Sequence, residues 1–156
     1  MEKKQRNQVD CLKEAAKAVV AAGLGINFEL PNYVTGLLHR PRWMVETGLL
    51  VSLSGGIAQK FYNHEWSLGK DQETCEEVEA LFKKLHPDDR DKAKFRDYFE
   101  QAAACVRHCE TFIKAAALAL EENPEMTPSE LRRLARSFFE ESAGREESCY
   151  GCGGAQ

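Results

Sequence analysis

Lys13, Glu14 and Lys17 stand at a spacing that puts charged side chains to work together. In the run Leu12-Lys13-Glu14-Ala15-Ala16-Lys17-Ala18-Val19-Val20 the two lysines are four residues apart, on one helical face, with a carboxylate beside the first. One use of such a face is a solvated set of ion pairs with Asp10 and Glu14, contributing a few tenths of a kcal/mol. Direct metal ligation by the lysines is not available at neutral pH, because an ammonium has no lone pair. Cys105 and Cys109 share the same four-residue spacing. Both fall on an apolar stripe, which predicts small buried hydrophobes rather than ligands. Cys149 and Cys152 form a CxxC without a second ligand pair, and without the strand and helix that a thioredoxin-type site requires. His108 lies off the apolar face and is expected to be exposed. His39 and His86, each beside a helix breaker, read as surface residues, and His64 reads as a loop contact beside Trp66.

Extended to Gly25, the first run reads KEAAKAVVAAGLG and resembles the HEAGHAVVAxxLG segment of the FtsH-type, ATP-dependent zinc metallopeptidases and their short stand-alone relatives. In that motif two histidines four apart bind one zinc, and the glutamate beside the first activates a zinc-bound water. Here both ligand positions are lysine, Lys13 and Lys17, and Glu14 keeps the base position. The segment from Val45 to Phe61 is similar to the family's ILVALAGxAAEELL helix, with a glycine midway. Ser67-Leu68-Gly69-Lys70-Asp71 resembles its GASSDLxxA segment, whose aspartate is the third zinc ligand. Asp71 heads a stripe with Cys75, Val78, Phe82 and Leu85, which turns its carboxylate inward. The resemblance runs from about Val9 to Phe139. No GxxxxGK[ST] phosphate loop is present, so the family's ATPase module has no counterpart in this chain.

What the resemblance implies is a metallopeptidase-like protein whose zinc site is lost. Lysines at the ligand positions would neutralise Glu14 and Asp71, which would otherwise repel across a partly dry cleft. The expected function is a catalytically inactive pseudo-peptidase that binds or regulates a protein partner, with no catalytic residue, no cofactor and no metal. One alternative is a metal-dependent hydrolase whose site has been re-made from Asp71, Cys75, Glu14 and His64, with Cys11 also near the old site. Another is a generic helical interaction protein.

The elements that must position these residues follow from periodicity. Val9, Leu12, Ala16, Val19 and Val20 predict a helix over 5–22, ended by Gly23 and Gly25. Ile26, Phe28 and Leu30 alternate with polar residues, predicting a minor β element within 25–38. A second helix is expected over 41–62, with Gly48, Gly55 and Gly56 as places of close backbone approach. A third is expected over 69–85, ended by His86-Pro87. One stripe from Phe95 to Leu120 predicts a single long helix over 88–123, roughly 50 Å if straight and therefore expected to bend. Thr127, Pro128 and Glu130 form a capping box for a final helix that buries Leu131, Leu134, Phe138 and Phe139. The reading is mainly α: one FtsH-peptidase-like bundle of about five helices over 1–141, then a Gly/Ser/Glu-rich tail over 142–156.

Composition fits that reading. At 156 residues, with 43% hydrophobic and 29% charged residues, the chain has the make-up of one globular domain. A net charge of -4 argues against a nucleic-acid partner, and the basic cluster His39-Arg40-Pro41-Arg42, followed by Trp43, reads as a solvated turn. No apolar run is long enough to span a membrane. The charged N-terminal stretch does not read as an export signal, so a cytoplasmic location and six free thiols are expected.

Overall fold

In the computed structural model, residues 8–25, 37–63 and 72–145 are described, and within them the chain is a single all-helical bundle without strands. Six α-helices form it: α1 (Gln8–Gly23), α2 (Arg42–Asn63), α3 (Gln72–Leu85), α4 (Lys94–His108), α5 (Glu110–Glu122) and α6 (Pro128–Arg145). A 3-10 turn at Asp89–Asp91 precedes α4. The expected β element falls almost wholly on 26–36, outside the described residues. Leu37 and Leu38, at its end, are not strand, and Leu37 packs into the core.

α1 is the central helix. It packs against α2, α5 and α6, while α2 also carries α3 and α4. Alanine makes this possible: Ala15, Ala16 and Ala18, with Cys11, Val19 and Val20, are fully buried, and small side chains let three helices approach one axis. The glycine expectation holds at two sites. A Cβ on Gly55 would stand 2.9 Å from Lys13 Cγ and 3.3 Å from the Lys13 carbonyl oxygen, so α1 crosses α2 there. Gly48 makes room for Leu37. Gly25, at φ +77°, ends α1 in the left-handed region.

The single long helix expected over 88–123 is two helices. The stripe is right, since Tyr98, Ala102, Cys105, Val106, Cys109, Ile113, Ala116 and Leu120 are all buried. The axis nevertheless turns at Cys109 (φ -100°, ψ 17°), although Cys109 N–H still donates to the Cys105 carbonyl at 3.0 Å. The reason is tertiary: α4 packs mainly on α2 and α5 mainly on α1, so the chain must change partner between them. The stretch 88–93 is turn and 3-10 rather than α-helix. The capping box is formed, with Thr127 N–H donating to Glu130 Oε1 at 2.8 Å and Glu130 N–H to Thr127 Oγ1 at 3.1 Å. Helix α6 continues through 142–145, which the sequence assigned to the tail.

Candidate functional site at the crossing of the first three helices

Lys13 and Lys17 lie where α1 crosses α2, their aliphatic stems over Gly55, with Lys17 Cδ 3.3 Å from the position of a Cβ there. Lys17 is only 9% exposed. It is not part of a solvated face, which corrects that reading of the segment. Its ammonium is 3.5 Å from Glu77 Oε1 of α3, and both side chains are 11% exposed. Among the described residues Glu77 Oε1 accepts no hydrogen bond, so the pair is held by charge. Lys13 and Glu14 are half-buried next to it on α1. The helix bearing Glu77 is the one that follows Asp71. Asp71 and His64 lie outside the described residues, and of Cys75 only the backbone, within α3, is described. Among the described residues no group of three or more His, Cys, Asp and Glu side chains is placed to hold a metal ion.

Sequence reasoning passed over Glu77 because it sits one residue off the stripe Cys75, Val78, Phe82 and Leu85. The observed buried face is centred on Val78, Leu81 and Leu85. Glu77 shares that face with Leu81 and Leu85 at four-residue steps, and this was the legible signal. Cys105 and Cys109 are buried, as expected, and so is Cys11. His39 and His108 are exposed.

His86 is not a surface residue, and this corrects the sequence reading. It is 9% exposed, held in an aromatic group with Phe82 and Tyr98 at ring separations of 5.2 and 5.6 Å. Pro87 ends the helix after it, but His86 N–H still donates to the Phe82 carbonyl at 2.8 Å, so its ring continues the face of Phe82. From there a polar chain runs between elements. Asp91 Oδ2 is 3.7 Å from His86 Nδ1, and His86 Nε2 is 2.9 Å from the Tyr98 oxygen. The Tyr98 phenol donates to Glu46 Oε2 at 3.2 Å. Arg42 Nε lies 3.5 Å from the same Glu46 oxygen, and Arg42 Nη1 donates to the Leu85 carbonyl at 3.1 Å. With the phenolic proton given to Glu46, the proton between His86 and Tyr98 comes from Nε2–H. Burial, and then the Glu46 carboxylate, push the Tyr98 phenol above its ordinary pKa, so it stays a donor. The chain ties α2, the end of α3 and the start of α4 together.

No helix among the described residues is long and apolar enough to cross a membrane. No protein-family model matches the chain, and comparison with curated proteins and with solved structures gives no match either.

Proposed function

We propose that this chain is a catalytically inactive, metallopeptidase-like helical scaffold that binds or regulates a protein partner. The observation that carries the reading is the Lys17–Glu77 pair. The second of the two positions that resemble zinc ligands turns inward, toward α2 and α3, as a ligand must. An ammonium there supplies the positive charge that a metal would bring, and a buried carboxylate on the next helix answers it. Such a pair joins two helices without offering an open coordination position or a bound water to activate. Glu14, the residue at the water-activating position, then has no metal-bound water beside it.

The test is proteolysis. Purified protein incubated with an unfolded polypeptide and micromolar zinc is expected to leave it intact, with Glu14→Gln indistinguishable from the unsubstituted chain. Metal-dependent cleavage abolished by Glu14→Gln would overturn the proposal in favour of a site re-made from Asp71, Cys75, Glu14 and His64.

A further inference from the structure

The polar chain at the end of α3 is one proton short of filling its links. Asp91 Oδ2 lies 3.7 Å from His86 Nδ1, His86 Nε2 lies 2.9 Å from the Tyr98 oxygen, and the Tyr98 phenol lies 3.2 Å from Glu46 Oε2. Both ends are carboxylates, which accept and do not donate. A neutral imidazole and a phenol bring two protons between them, so one of the three links must go without. The distances show which one. With the phenolic proton on Glu46 and the Nε2 proton on Tyr98, Nδ1 turns a lone pair toward Asp91, and that link is the longest, beyond hydrogen-bond reach. The third proton can come only from charging His86, and an imidazole takes up that proton near neutrality, at about pH 6.5 in its ordinary state.

The groups around His86 leave a place for that proton. Lys94 of α4 reaches Asp91 Oδ1 at 3.9 Å, so Oδ2 remains for the imidazole. Asp88 is held by Arg90 at 3.1 Å. On α2, Arg42 and Glu46 pair at 3.5 Å, so the far end of the chain brings no uncompensated charge. Glu76, Glu79 and Lys83 on α3, Lys92 before α4 and Asp97 on α4 line the two clefts that His86 borders, and all five are exposed, where water screens them. The same clefts bring solvent protons to a buried ring. Burial opposes a charge on that ring, and the Asp91 carboxylate offsets it by accepting the new N–H.

We propose that the junction of α3 and α4 is a pH-sensitive clasp: protonation of His86 at Nδ1 closes its contact with Asp91 and draws the 3-10 turn onto the end of α3. The clasp is independent of the crossing of α1 and α2 and of any partner. Its third link exists only in the folded chain, so the proton held there adds stability in acid that is lost as pH rises through the imidazole range. Asp91→Asn and Glu46→Gln test it, because each brings the missing proton by itself. In Asp91→Asn the new amide donates to the bare Nδ1. In Glu46→Gln it donates to the Tyr98 oxygen, which frees the phenolic proton for His86 Nε2 and the imidazole proton for Asp91. Both carboxylates are about a third exposed, so the variants keep the fold, which circular dichroism checks. Unfolding constants are read from urea titrations at about pH 5.5 and about pH 8. Between the two, the unsubstituted chain is expected to lose about fivefold more in its folding constant than either variant does. A loss as large in either variant would overturn the proposal. Nitrogen-15 spectra of the His86 ring give a second reading, with both nitrogens protonated at the lower pH and Nε2 alone at the higher. Nδ1 alone protonated at the higher pH would place the missing proton on another link and overturn it too.

Discussion

Lys17 and Glu77 are a buried ion pair, and such pairs matter most when one partner is lost. Glu77→Ala leaves an ammonium in the interior without its counter-charge and is expected to destabilise by about 3 kcal/mol in urea unfolding. Lys17→Met combined with Glu77→Leu removes both charges at similar volume and should recover to within about 1 kcal/mol of the unsubstituted chain. A double variant as unstable as Glu77→Ala would mean that packing, not charge, sets the cost. A second residue-scale prediction concerns alkaline pH. Burial, and next the Glu110 carboxylate, push the Tyr62 phenol from 10.0 to about 12, and its hydroxyl donates to the Val106 carbonyl at 3.2 Å. A pKa raised on folding gives stability that is whole below the unfolded value and is lost as pH rises through the folded one. Stability should therefore fall between pH 10 and about 12. Tyr62→Phe should flatten that fall, measured by thermal melts across the range.

At the scale of elements, the crossing of α1 and α2 depends on Gly55. An alanine there gains helix propensity of about 1 kcal/mol but crowds the Lys13 stem, and the two effects nearly cancel. Valine adds bulk toward the Lys13 carbonyl, which cannot move aside as a side-chain end can. Gly55→Val is expected to cost about 2 kcal/mol, readable as a lowered urea midpoint. Legibility in the sequence divided along the same line between local and tertiary signals. The buried stripe from Tyr98 to Leu120, the left-handed Gly25 and the Thr127–Glu130 capping box are local, and each could be read directly, whereas on α6 the buried residues are Leu131 and Ala135 and the expected Leu134, Phe138 and Phe139 are half-buried. The turn at Cys109 could not, because the stripe continues through it and the cause is the change of packing partner from α2 to α1. Glu77 was half-hidden: its four-residue steps to Leu81 and Leu85 were legible, but not the partner on α1 that buries it. His86 was hidden by Pro87, which ends the helix without turning the preceding ring outward. Gly55 lay between, since its spacing announced a close approach but not which helix would make it.

The whole molecule divides into a central crossing and a rim. The crossing, where Lys13, Lys17, Gly55 and Glu77 meet, is closed by packing and charge. At the rim the chain from His86 to Arg42 ties the start of α4 to the first turn of α2, and Trp43 faces solvent. On the proposed reading α1 joins the bundle and carries no chemistry. On that reading an ammonium–carboxylate pair, Lys17 and Glu77, stands at the position that resembles a peptidase zinc site. Metal content of the purified, untagged protein, measured by elemental mass spectrometry, tests it most directly. The account predicts less than about a tenth of an equivalent of zinc or any other transition metal. About one equivalent, retained through mild chelation, would contradict it.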